Sequence, residues 1–269
     1  MAIFIALLAS ALRLATPLIF SALGGVFSER SGVTNIALEG MMIMGAFFAI
    51  LVTYYTNMPW VGVLGAMVAG GLTSLILAFI SINLNGNQVV VGTAINLFAM
   101  SITAFLLELV YHRSGQTDPV QVPLTSNPEI FGFLEGIPYL GNLFASMTPF
   151  VYLAFVAVAL TYFVIYKTPF GLQIRAVGEH PRAADTVGIN VYKIRYICVV
   201  ISGMLAGLSG AAISLGTIGS FREGMTSGKG FIALAAMIFG KWHPVGAMLS
   251  SLFFGFCEAV QIQSSTLGF

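Results

Sequence analysis

Four ionisable side chains lie inside long apolar stretches of the chain: Arg13, Glu39, Glu108 and Glu258. A charge at the centre of a bilayer costs a few kcal/mol on insertion scales, so each is expected to face protein or water. Glu39 follows Asn35 by one helical turn, a spacing that sets both on one face as a polar stripe, and Asn96 adds an amide to another apolar stretch. Such groups line or gate a polar pathway, or tie helices together by hydrogen bonds; both uses stay open for Asn35 and Glu39. Glu258 suits a buried packing role, and Arg13 and Glu108 lie near enough to helix ends to reach the interface. No two acids share a helix face, so no proton relay is expected. Catalytic groupings are not expected either. Gly224-Met225-Thr226-Ser227-Gly228-Lys229-Gly230 has the outline of a phosphate-binding P-loop, but its first two glycines stand too close and Gly230 replaces the Ser or Thr that ligates magnesium. His112, His180 and His243 have no partner at ligand spacing, so no metal is expected. Cys198 and Cys257 read as small buried side chains.

The elements that must position these groups are membrane helices. Of 269 residues, 58% are apolar and 8% charged, against roughly 45–50% and about 25% in a soluble domain. The apolar character runs the length of the chain, which implies an all-α, polytopic transmembrane bundle forming one domain over 1–269. With a net charge of +1 there is no basic surface for a nucleic acid. Apolar runs long enough to span fall at about 3–26, 35–56, 60–81, 88–110, 147–166, 196–218 and 244–262. Residues 111–146 form a polar, proline-rich loop with an interfacial helix expected around Ile130–Phe144. Phe231–Phe239 is too short to span; between Gly230 and Pro244 it is expected to be a half-helix beside a pathway. Pro17 and Gly24-Gly25 are expected to loosen the first helix, and Gly203, Gly207 and Ala211 to pack closely against a neighbour.

Five of the eleven Lys and Arg lie between 167 and 195, which marks that loop as cytoplasmic and, counting back, puts the N-terminus outside. Within the loop, Pro181 suits the first position of a short helix and Gly188 its end. Residues 31–41 (SGVTNIALEGM) echo 227–237 (SGKGFIALAAM), with the two copies expected to start on opposite sides, as an inverted repeat requires. The partner of residue 110 in such a repeat falls beyond the last residue, so the second half is expected to be incomplete, lacking the last C-terminal helix or helices.

Thr168-Pro169-Phe170-Gly171, Arg175-Ala176-Val177-Gly178-Glu179 and Ala183-Ala184 resemble the coupling-helix region of ABC importer permeases for simple sugars, nucleosides and branched-chain amino acids. Ser31–Gly40 resembles that family's N-terminal signature, and Asn87–Leu97 is similar to a motif of its nucleoside (guanosine-type) branch. The resemblance implies a plasma-membrane permease without enzymatic activity or bound cofactor. ATP is then used by a separate cytoplasmic ATPase docking on Pro181, Arg182, Ala183, Ala184, Asp185 and Gly188. A second permease subunit and an extracytoplasmic substrate-binding lipoprotein are implied as further partners. Asn35, Glu39 and Asn96 are the pathway candidates. Sugar or branched-chain amino-acid import, or an ion-coupled secondary transporter, are the alternatives.

Overall fold

Helix starts are written into the chain as prolines and caps. Pro59, Pro149, Pro169, Pro181 and Pro244 each open a helix, where a missing N–H leaves nothing unsatisfied. Asn87, Thr168 and Asn190 each accept a hydrogen bond from a backbone N–H of the turn that follows. The structure, a computed structural model, describes residues 2–112, 114–121, 124 and 147–267. In chain order the helices are α1 (Ala2–Arg30), α2 (Leu38–Thr56), α3 (Pro59–Ala78), α4 (Gln88–Tyr111), α5 (Pro149–Lys167), α6 (Pro169–Glu179), α7 (Pro181–Thr186), α8 (Val191–Ile213), α9 (Lys229–Phe239) and α10 (Pro244–Leu267). Wider π turns prolong α3 through Phe79–Asn83 and α8 through Ser214–Ile218. Among the described residues seven helices are long and apolar enough to cross a membrane, matching the seven apolar runs. The largest difference at a helix start is at α8, which begins at Val191 rather than near 196. Asn190 caps it there by accepting from Lys193 N at 2.9 Å, so its polar first turn stays helical. The interfacial helix expected around Ile130–Phe144 lies outside the described residues.

One face gathers the basic residues. Gln88 Oε1 accepts from Thr34 N at 2.7 Å, Tyr196 donates to Asn83 Oδ1, and Arg195 Nε donates to Ser31 O at 3.2 Å. These contacts join the end of α1 and the starts of α4 and α8 to the end of α3, beside α6 and α7. At the other face the segment after α4 lies antiparallel to the segment after α8: Thr117 N donates to Phe221 O (2.9 Å), Val120 N to Gly219 O (2.8 Å) and Leu124 N to Leu215 O (3.0 Å).

The centre is α8, packed on α1, α2 and α3. A Cβ on Gly203 would lie 2.4 Å from Gly70 O, and one on Gly207 2.2 Å from Ala66 O, so α8 and α3 meet backbone to backbone at the four-residue spacing expected of them. By contrast α1 does not loosen. It runs unbroken through Pro17 and Gly24-Gly25. Ser209 donates to Pro17 O at 2.6 Å, and a Cβ on Gly24 would meet Ser202 O at 2.7 Å. Small residues there serve close contact with α8, not a break.

Candidate functional site

Gly219, in the left-handed conformation, ends the π turn of α8, and the chain folds back into the bundle. Phe221 is fully buried with its ring edge on Phe47 at 5.2 Å. Three further residues with positive φ, Gly224, Ser227 and Gly228, turn the chain into α9. This helix has eleven residues, about 16 Å at the usual rise, half of a hydrocarbon core. The turn that follows it brings Trp242 to the basic face, where Trp242 Nε1 donates to Glu29 Oε2. The start of α9 therefore lies inside the bundle, where water cannot satisfy the first N–H groups.

Glu39 satisfies two of the N–H groups there, while Lys229 N and Phe231 N turn to Thr226 O and Gly228 O. Glu39 Oε1 accepts from Thr226 Oγ1 at 2.6 Å and from Gly228 N at 2.9 Å, and its Oε2 accepts from Gly230 N at 2.6 Å. Glu39 also lies in the first turn of α2, so one buried carboxylate stands between two positive helix ends. Gly230 is required for this approach, since a Cβ there would sit 2.5 Å from Glu39 N. The P-loop-like stretch thus does receive an anion at a helix N-terminus: the protein's own.

Asn35 and Asn96 secure the other side of the break. Residues 31–37 are not helical, so Asn35 and Glu39 share no stripe; Asn35 Nδ2 donates to Ser202 Oγ at 2.8 Å and its Oδ1 accepts from Ala37 N at 3.1 Å. Asn96 accepts from Gly40 N at 2.7 Å and donates to Ile36 O at 3.0 Å. Since Asn96 lies eight residues along α4 from Gln88, this clasp sits about 12 Å deeper than the one on Thr34. The three sequence-selected polar residues are therefore brought to one place, each engaged with protein partners.

Lys229 and Glu258 were not paired by the sequence reading. Lys229 Nζ lies 2.5 and 2.7 Å from the carboxylate oxygens of Glu258, with Glu258 30% exposed, so this acid is an ion-pair member at the bundle surface rather than a buried packing group. The spacing of 29 residues across a turn hides it from any periodicity. Cys198 is buried as expected, whereas Cys257 is exposed. The reason is that α10 buries Ser251, Gly255 and Ala259 against the bundle and turns Cys257 away.

The two echoed segments meet here. Gly32 and Gly228 both have positive φ, but Ile36 and Ala37 precede α2 while Ile232 and Ala233 lie inside α9. The second copy does not start at the far face; it starts against Glu39 of the first, and the two helices leave in opposite directions.

On the basic face the loop is a helix pair. The sequence reading missed α6, although Thr168-Pro169 is a strong start signal: Thr168 Oγ1 accepts from Gly171 N at 3.2 Å. Gly171, Ile174 and Val177 turn inward from it. In α7, Arg182, Ala183 and Asp185 are exposed, as is Gly188 beyond it, and Pro181 is half-buried. Ala184 is buried beside Ile174, Val177 and Ile194, so the small exposed face is that of Ala183 alone.

Among the described residues, seven helices long and apolar enough to span, a half-helix capped within the bundle and a helical loop on one face are the architecture of a membrane permease. The chain belongs to the family described as "Branched-chain amino acid transport system / permease component", which it matches over residues 7–266. It is therefore an ABC transporter permease subunit and a multi-pass plasma-membrane protein. It is 48% identical over 94% of its length to the guanosine ABC transporter permease protein NupQ of Bacillus subtilis, covering 81% of that chain. To the nucleoside ABC transporter permease protein NupC of Lactococcus lactis it is 41% identical, covering 95% of this chain and 82% of that one. A putative glucose ABC transporter permease protein of Haloferax volcanii, TsgC13, is 36% identical over 97% of this chain and 78% of its own. No solved structure matches.

Proposed function

We propose that the chain is the nucleoside-translocating membrane subunit of an ATP-driven importer. The observation that carries this is the 48% identity over 94% of the chain to a guanosine permease, ahead of the 36% to the glucose relative. ATP hydrolysis belongs to a separate cytoplasmic subunit that docks on Arg182, Ala183 and Asp185, flanked by Pro181 and Gly188. The concentration of basic residues in 167–195 supports a cytoplasmic side for this loop. A second permease subunit is supported by the fact that both bacteria above have another, more distant relative bearing the same substrate in its name. Substrate is delivered by an extracytoplasmic binding lipoprotein. Asn35, Glu39 and Asn96 act as gating residues rather than ligands, because their polar atoms already hold backbone at the break.

Uptake of labelled guanosine into cells or proteoliposomes carrying the whole importer tests the reading, with glucose and leucine as competitors. Guanosine uptake that depends on ATP and is unaffected by either competitor is the expected result. The Ala183→Arg variant should abolish uptake and release the ATPase. Uptake that persists without an ATPase, or competition by glucose alone, would overturn it.

A further inference from the structure

The end of α9 on the basic face is held in an unusual way. Lys241 and Trp242 both have φ of 53°, the left-handed region that residues with a Cβ rarely adopt, and here two stand in succession. Such backbone persists only where surrounding groups hold it. Those groups come from the end of α1. Arg30 Nε donates to Trp242 O at 3.1 Å, and its Nη2 lies 3.5 Å from Lys241 O. Glu29 Oε2 accepts from Trp242 Nε1 at 2.5 Å. Two adjacent side chains thus grip both the backbone and the ring of the turn.

The grip is in direct contact with the α6–α7 loop. A Cβ on Gly178, near the end of α6, would lie 2.1 Å from Arg30 O, so the helix touches the end of α1 with no side chain between them. Arg195 Nε ties Ser31 O to α8 just beyond. A cavity of about 320 Å³ bounded by Glu29, Arg30, Arg175, Glu179 and Trp242 opens beside the joint and leaves room for the ring to shift. At its other end α9 is capped by Glu39, so the helix is a short rod fastened at each end by a carboxylate from α1 or α2.

We propose that Trp242, gripped by Glu29 and Arg30, is the positioning joint through which movement of the α6–α7 loop reaches α9. Displacement of α6 bears on the Arg30 carbonyl through Gly178. Glu29 and Arg30 pass it to the Lys241-Trp242 turn, and α9 moves against the Glu39 cap. The proposal rests on the ATP-driven import proposed above.

The assembled importer in proteoliposomes tests it, with ATP hydrolysis, guanosine uptake and amide hydrogen exchange of residues 236–243 measured together. Trp242→Phe keeps an aromatic ring, smaller than the indole, and removes the N–H. The expected result is a complex that assembles and hydrolyses ATP while uptake per ATP falls about tenfold, the shift that loss of one charge-assisted hydrogen bond gives a two-state element. The ATP-dependent change in exchange over 236–243 should disappear with it. Glu29→Ala removes the same bond from the other partner and serves where Trp242→Phe fails to assemble. Glu29→Gln retains the acceptor oxygen and should restore coupling. Wild-type coupling in both Trp242→Phe and Glu29→Ala, or equal loss in Glu29→Gln and Glu29→Ala, would overturn the joint. A wild-type complex that shows the exchange change with ATP but imports no guanosine leaves the joint standing and refutes the substrate. Guanosine import with normally coupled variants does the reverse.

Discussion

Replacing Glu39 by Ala removes three hydrogen bonds to a buried carboxylate at once, those from Thr226 Oγ1 and from the N–H groups of Gly228 and Gly230. Bonds to charged groups contribute about 1.5–3 kcal/mol each, and the charge at a helix N-terminus adds about 0.3–1 kcal/mol. The simple sum is an upper limit, because Thr226 can rotate to another acceptor and α9 can shift toward new partners. Roughly half of it, about 4 kcal/mol, is the expected cost, which lies in the extreme tail of single substitutions. The loss is relieved by opening the first turn of α9 without unfolding the bundle, so it should appear as local exchange. With about 1.4 kcal/mol per factor of ten, amides 228–232 should exchange roughly a thousandfold faster in Glu39→Ala. Glu39→Gln keeps one acceptor oxygen and turns its NH2 toward a donor; a cost of about 2 kcal/mol and a rise of roughly thirtyfold follow. Hydrogen exchange read by mass spectrometry in lipid nanodiscs is the assay, with amides of α8 as the internal reference. Exchange at 228–232 in Glu39→Ala within about threefold of the wild-type rate would refute the capping role.

Three further outcomes follow from the packing. Lys229→Met should destabilise by about 2–3 kcal/mol because it leaves the half-buried Glu258 without its cation, while Lys229→Met with Glu258→Met should recover most of that loss; denaturation midpoints in detergent check it. Ala183→Arg should leave the midpoint unchanged, since the residue is exposed, whereas Ala184→Arg should lower it by about 3 kcal/mol or more by forcing a charge into the cluster of Ile174, Val177 and Ile194. Gly207→Val should separate α3 from α8, because its Cβ would lie 2.2 Å from Ala66 O; loss of folded protein in a size-exclusion profile is the expected readout.

Much of this architecture was legible because apolar length is a direct signal of a span; the polar first turn of α8, which Asn190 caps, escaped that signal. The half-helix was legible by length too: the apolar stretch Phe231–Phe239, between Gly230 and Pro244, is too short to cross. What stayed hidden depends on pairing over long separations. Lys229 meets Glu258 and Glu39 meets Gly230 only once α9 is inserted beside α2 and α10, and no local pattern encodes that insertion. Helical phase misled at Asn35, where one turn of spacing implied a shared face although the backbone before Leu38 is not helical. Glycine misled in α1 for a related reason. Gly24-Gly25 looks like a weak point in isolation, but Gly24 lets the backbones of α1 and α8 touch and Gly25 makes room for Met237 of α9. Cys257 shows the same limit: apolar neighbours say that a segment is in the membrane and not which side of the helix meets protein.

The placement of the few acids then carries a physical consequence. A spanning helix delivers its terminal N–H and C=O groups to water or headgroups, so its ends need no help from the rest of the fold. A helix that starts inside the bundle cannot do this, and its first turn must be satisfied by side chains from other elements. Of ten Asp and Glu residues in the chain, Glu29 and Glu39 bond to the two ends of α9 and Glu258 to its first side chain. Each of these contacts joins α9 to a different neighbour, so small relative movements of α1, α2 and α10 change the hold on α9 without breaking any bond inside it. A helix held in this way can change position while remaining a helix, its ends set by a handful of named hydrogen bonds and its inner face by the buried Ala233, Ala236 and Met237. The helices α1, α2, α3 and α8 have less such freedom, because apolar and glycine-mediated contacts hold them to one another along their length. Movement that opens a path through this bundle is therefore expected first at α9, and a substitution that alters its end contacts should change transport more than one of equal energetic cost in the α3–α8 interface.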